Sequence, residues 1–329
     1  MFHTRFAGIA LAVALGVSAI GAAQAQEFQF KANVVGNEDG IAYLSAKRFA
    51  DAVAKESGGK IAIKLFHSSA LGDQPSSLEA MKVGTLDIAT IETPITKVDP
   101  VLGATALPYM FQGRAHVAKA LGGPAGAWIE KRLAAKGYQV LAFLEGGFRQ
   151  ITNNVRPIYK PSDLKGIKMR TPGSKLRIAI FNHYGANASP LPFAELYTAL
   201  QTGTFDGQEN PVIWAKTTKF YEVQKYLSIT NHIYTVTYLL MSGKSFAKLP
   251  KPLQAVALKA GKEAAAYSVE LGTKADTDVV DFLKSKGMKV NHADIPAFVA
   301  ASKPIWADWV KENGADAKTL IDLVQKAAK

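Results

Sequence analysis

Three polar residues stand where their chemistry could hold an anion. Arg170 closes the run Ile167-Lys-Met-Arg170, in which Ile167 and Met169 share one face and Lys168 and Arg170 the other. The run reads as a strand with Arg170 at its carboxyl end, where open α/β sheets bind ligands. Pro172 holds Thr171 extended and removes the next ladder donor. Arg149 lies in Gly146-Gly-Phe-Arg149-Gln-Ile-Thr-Asn153, after a predicted strand, and its two glycines predict a sharp turn and a close approach to another group. Alternation puts Arg149, Ile151 and Asn153 on one face. Asn210 precedes Pro211, the pattern of a helix N-cap with Pro at the first helical position, and an amide there, beside free backbone N–H groups, suits an anion. Two guanidinium groups facing one cleft would match a carboxylate, because the planar fork pairs with two oxygens and stays charged at any working pH. A surface arginine and a plain helix cap are the alternative readings.

The elements that must position these groups follow from periodicity. Phe28–Asn33 alternates like a strand, Ile41–Lys55 has helical spacing, and Ile61–Phe66 alternates again after Gly58-Gly59. Ser76–Val83 predicts a helix, Leu86–Thr90 a strand, Trp128–Ala135 a helix and Tyr138–Leu144 a strand. A second block holds the strand Ile167–Thr171 and helices over Leu176–Tyr184 and Phe193–Gln201, the last stopped by Gly203 in a left-handed cap. Pro252 opens a helix reaching toward Lys286, about 45 Å long at about 1.5 Å per residue. Such alternation predicts an α/β fold with mostly parallel sheets under helices. Neither an internal repeat nor a Pro/Ser-rich linker occurs, so several chain crossings should join two lobes.

Composition narrows the function classes. With 48% hydrophobic and 20% charged residues the chain has the make-up of a globular protein. Residues 1–25 read as a signal peptide cleaved after about Ala25: Arg5, an apolar run Phe6–Ile20, then Ala23-Gln-Ala25. The run is shorter than the roughly 20 residues that span a bilayer, which argues against an uncleaved anchor. A periplasmic protein follows. Cysteine is absent, so disulfides and thiolate metal sites are not available. The net charge of +12 is spread singly or in pairs, as in Lys47-Arg48 and Lys131-Arg132, which speaks against nucleic acid and leaves a small anion open. An exported hydrolase is the rival class, but no G-x-S-x-G elbow, H-E-x-x-H pair or EF-hand loop occurs. The six histidines, at 3, 67, 116, 183, 232 and 292, are too dispersed for a local metal motif. No metal, cofactor or enzyme activity is expected.

Several ordered runs resemble the solute-binding proteins of TRAP transporters, the DctP family: Asp163-Leu-Lys-Gly-Ile-Lys-Met-Arg170, Pro192-Phe-Ala-Glu-Leu-Tyr-Thr-Ala-Leu-Gln201, Asp206-Gly-Gln-Glu-Asn-Pro211, Phe220-Tyr-Glu-Val-Gln-Lys-Tyr226, Thr230-Asn-His232, Ser69-Ala-Leu-Gly-Asp73 and Gly84-Thr-Leu-Asp87. The resemblance implies a two-lobed periplasmic binding protein fold, a ligand cleft between the lobes, a long helix spanning both, and hinge closure over the ligand. It implies crossings near Gly146 and Val236, with 26–146 plus about 237–275 forming lobe I and 147–236 plus about 276–329 forming lobe II. It matches Arg170 to the arginine that pairs with the ligand carboxylate, Arg149 to a second basic residue, Asn210 to an amide on the same carboxylate, and Phe193 to an aromatic against the ligand. Asn33 and Glu92 match first-lobe contacts of sialic-acid-binding members, whose third arginine is replaced here by Ile95. That replacement speaks against sialic acid.

Glu38, Asp39, Gln74, Glu92, Asn153, Trp214 and His232 are candidates for the remaining wall, where acids and amides suit ligand hydroxyls and a carboxylate repels a second carboxyl group. A turn at Asp39-Gly40, core packing of Trp214 and a structural His232 are the alternatives. Glu92 favours a sugar acid such as a uronate; a C4-dicarboxylate, keto acid or aromatic acid is the alternative. The implied partners are that organic acid and the TRAP membrane permease subunits, with the receptor itself a monomer.

Overall fold

The computed structural model describes residues 26–328, so the predicted signal peptide lies outside the described residues. The chain opens with β1 (Phe28–Asn33), α1 (Ile41–Glu56), β2 (Ile61–Phe66), α2 (Gln74–Val83) and β3 (Ile88–Ile91). Two 3-10 segments, Thr93–Lys97 and Pro100–Ala106, precede α3 (Arg114–Leu121), α4 (Pro124–Ala135) and the long β4 (Tyr138–Asn153). Next come β5 (Lys168–Thr171), α5 (Lys175–His183), β6 (Asn187–Pro190), α6 (Leu196–Gln201), β7 (Gly207–Pro211), α7 (Val212–Thr217), β8 (Tyr226–Ile229) and β9 (Tyr234–Ser242). The chain ends with α8 (Gly243–Lys248), α9 (Lys251–Ser285), β10 (Lys289–His292) and α10 (Ile295–Lys326).

The strands run in the order β2-β1-β3-β9-β4-β7-β5-β6, with β8 on β4 and β10 on β8. The flanks are parallel, as alternation of strands and helices requires, but the centre is antiparallel because β4 pairs β9, β7 and β8 in that sense. The sheet is therefore mixed rather than mostly parallel. Residues 138–148 of β4 pair with β9, residues 149–153 with β7 and residues 151–153 with β8, so one strand belongs to both halves of the molecule.

Gly146-Gly147 does not end the strand. The chain passes through with a register shift between Glu145 and Gly147, a bulge that Gly147 accommodates at φ +100. At Gly146 a Cβ would fall 2.5 Å from the Thr235 carbonyl oxygen, so the close approach is to β9.

Helix α9 has 35 residues, about 52 Å at about 1.5 Å per residue, and packs on α1 and β4 and then on α7 and β10. Its buried face is made of small residues, among them Ala257, Ala260, Gly261, Ala264, Ser268 and Gly272, which lets the helix axis approach the sheet closely. The C-terminal segment, expected with the second lobe, packs against both halves: α10 breaks at Gly314 (φ 71) and touches Pro100–Ala106, α3 and α4 as well as α5.

Candidate functional site

Between the two halves of the sheet lies a cleft of about 340 Å³. β5 delivers Arg170 into it. The residue is 3% exposed; its guanidinium Nε and Nη2 donate to the Leu191 carbonyl at 2.9 and 2.6 Å, and the guanidinium carbon lies 5.9 Å from the centre of the Phe193 ring. Its Nη1 has no protein acceptor among the described residues. Burial lowers its pKa to about 9, with Glu209 opposing and Arg149 and Arg177 adding to the effect. The group thus stays charged at neutral pH and incompletely partnered.

Arg149 is placed differently. Its Nε donates to Glu209, its Nη1 to Thr235 Oγ1 at 3.0 Å, and its Nη2 to Glu209 Oε1 at 3.1 Å and Asn210 Oδ1 at 2.8 Å. Glu209 also accepts from Arg177 Nη1 at 2.8 Å and pairs with His232 Nε2 at 3.1 Å. An ionised carboxylate only accepts, so His232 carries its proton on Nε2 and accepts from Thr230 Oγ1 at Nδ1, 2.8 Å away. Burial alone would raise the Glu209 pKa, but Arg149 and Arg177 outweigh it and hold the carboxyl well below the usual range. Burial pushes His232 below its ordinary value against the pull of Glu209. The Asn210 amide donates to Gln208 Oε1 at 2.5 Å, whose own amide donates to Thr152 Oγ1 at 2.9 Å.

The opposite wall comes from the first half. Gln74 Oε1 accepts from the Glu92 backbone N–H at 2.7 Å, and Glu92 Oε1 accepts from Thr237 Oγ1 at 3.2 Å. Burial raises the Glu92 pKa, with Arg149 opposing. Trp214 closes one side against Phe193, ring centres 4.6 Å apart and edge to face.

The model of the family described as bacterial extracellular solute-binding protein, family 7 (DctP), matches residues 32–313. The chain belongs to that family. It is 33% identical over 309 residues to the 2,3-diketo-L-gulonate-binding periplasmic protein YiaO of Escherichia coli K12, covering 92% of this chain and 93% of that protein. Among solved structures, it resembles the sugar acid binding protein DctPAm from Advenella mimigardefordensis, in complex with galactonate, at TM-score 0.87 and 32% identity, covering 91% of this chain and 98% of that one. A TRAP periplasmic solute binding protein from Sulfitobacter sp. NAS-14.1 with bound β-D-galacturonate matches at TM-score 0.87 and 29% identity, covering 91% and 99%. The protein is thus a TRAP solute receptor of two-lobed α/β fold, and not an enzyme.

Seven of the residues singled out from the receptor's sequence line the cleft: Arg170, Arg149, Asn210, Phe193, Glu92, Gln74 and Trp214. Three do not. Asn33 is buried beside it, with its amide donating to the Gly72 carbonyl at 2.9 Å and Ser77 Oγ at 2.8 Å, and so pins the loop before α2. Asn153 lies four residues beyond Arg149, about 13 Å along an extended strand, and its Oδ1 accepts from the backbone of Val155 and Arg156. Asp39 is exposed in the turn before α1, as is Glu38, which is held by Tyr43 and His67. His232 sits behind the cleft on Glu209.

Asn210 does not cap a helix either. It is the fourth residue of β7, α7 begins after Pro211, and the side chain turns to Arg149 instead. Sequence reasoning missed Glu209 and Arg177, the partners that take up Arg149. The signal for Glu209 was adjacency: it precedes Asn210 in the same run.

Proposed function

We propose that this receptor binds a polyhydroxylated monocarboxylate, a sugar acid of uronate or aldonate type, and delivers it to TRAP membrane subunits. One observation carries the reading. Arg170 is buried at the cleft wall with Nη1 free, a cation that a single ligand carboxylate would complete. Gln74 and Glu92 line the same cleft, and an amide and a carboxyl that burial pushes toward its neutral form suit ligand hydroxyl groups. A volume of about 340 Å³ falls within the range of small-molecule sites, roughly 300 to 1,000 Å³. YiaO and the two structural relatives named above are each described with a sugar acid, which supports the same class. In this reading the lobes are 26–146 with about 237–275 and 147–236 with much of the C-terminal segment, and they hinge at the β4 bulge and the start of β9. Export would remove residues 1–25.

Titration calorimetry on the mature protein tests the proposal. D-galacturonate, D-galactonate and 2,3-diketogulonate are compared with succinate and with neutral galactose. The expected result is a sugar acid bound at micromolar Kd or tighter, about −8 kcal/mol, with no heat from galactose. Succinate binding tighter than every sugar acid would overturn it.

A further inference from the structure

Segment 35–41 of the first lobe reaches across the cleft mouth to α7 of the second. Gly36 lies close against the Trp214 ring: a Cβ there would fall 3.0 Å from Cη2 and 3.4 Å from Cζ3. Asn37 Nδ2 donates at 2.7 Å to the carbonyl of Thr217, the last residue of α7. That carbonyl is one of those a helix C-terminus leaves without an intrahelical partner, and the opposite lobe supplies its donor. Ile41, the first residue of α1, is buried in a hydrophobic cluster with Val212 and Ala215 of α7. These contacts join residues some 180 positions apart in sequence, at the one cleft wall that Trp214 shares with the ligand space.

We infer that Gly36 and Asn37 form an interlobe latch that grips α7 and sets how long the closed, loaded receptor persists. They are positioning residues: they act on the ligand through Trp214, which they hold over the cleft. The inference rests on the proposed closing, sugar-acid-binding function. Gly36 has no positive φ, and the three atoms nearest a Cβ there all belong to Trp214, so a side chain at this position meets that ring first.

The chain has no cysteine, so Lys55→Cys with Lys165→Cys places one spin label on each lobe. Pulsed EPR distances and stopped-flow release are then measured with D-galacturonate in this pair and in Asn37→Ala and Gly36→Val made upon it. Release should quicken about fivefold in Asn37→Ala, the factor for one hydrogen bond, and about tenfold in Gly36→Val, from overpacking. Association should stay within about twofold, ligand-free melting should not move, and the closed-distance fraction at equal saturation should fall. Asn37→Asp, which cannot donate, should behave as Asn37→Ala, whereas Asn37→Gln should recover part of the slow release. Unchanged release in both variants, or melting lowered in step with it, overturns the latch alone. If the parent pair shows neither binding nor a second distance with any sugar acid, the receptor's ligand reading falls and the latch with it.

Discussion

The two cleft arginines should respond oppositely to the same substitution. Arg170 has a single backbone carbonyl as its protein hydrogen-bond acceptor, while Arg149 is held by Glu209, Thr235 and Asn210. Arg170→Met removes a buried cation that has no direct ion pair, so ligand-free stability should hold or rise by about 1 kcal/mol. The same change deletes one or two charge-assisted bonds to a ligand carboxylate, each about 1.5 to 3 kcal/mol. A loss of about 3 kcal/mol raises Kd about a hundredfold. Arg149→Met strips Glu209 of its main partner and leaves a buried charge half-compensated, which should cost about 3 to 5 kcal/mol of ligand-free stability. Urea unfolding without ligand and calorimetry with the tightest sugar acid give both quantities for each variant. The reasoning is refuted if Arg170→Met unfolds as early as Arg149→Met, or if it keeps the parent's Kd.

Other consequences follow from the same contacts. Glu209→Gln should lower stability in urea by about 3 to 5 kcal/mol at pH 7, because Arg149 and Arg177 then share no counter-charge. His232 has a folded pKa below its unfolded value of about 6.5, so the unfolded chain binds more protons as the solution acidifies; its contribution is full above about pH 6.5 and declines below, by at most about 1.4 kcal/mol per pH unit. Urea midpoints between pH 7.5 and 5 should show that decline, flattened in His232→Gln. Gly261→Ala would set a Cβ 2.1 Å from the Leu141 carbonyl oxygen, so α9 must lift from β4 at a cost of about 3 kcal/mol, read as a lower melting temperature.

Much of the frame was legible because burial imposes period on sequence. β1, α1 and β2 were placed to within a residue, since alternation and helical spacing there are uninterrupted and Gly58-Gly59 marks the turn. β4 was cut short at Leu144 because two glycines are a turn signal, whereas here they make a bulge against β9, a contact some 90 residues distant that local pattern does not encode. Asn210-Pro211 misled for a related reason. The pair is a strong helix start in isolation, but the amide meets a buried guanidinium on the neighbouring strand, and pairing across the sheet took the residue into β7.

The site was legible as a set of residue types and less so as a set of partners. Counting valences explains why: Arg149 and Arg170 look alike in sequence, and only their neighbours decide which is consumed and which remains available. Glu209 is the hinge of that distinction. Three guanidinium groups, Arg149, Arg170 and Arg177, gather around this one ionised carboxylate, and Glu92, the nearest other acid, is pushed toward its neutral form by burial. Glu209 takes Arg149 and Arg177 into direct ion pairs and leaves Arg170 without one. Arg170 is therefore a buried guanidinium of the cleft that has no ion pair among the described residues. In the proposed function an entering carboxylate would supply the counter-charge at Arg170 and leave the rest of the ligand to the lobe that closes over it.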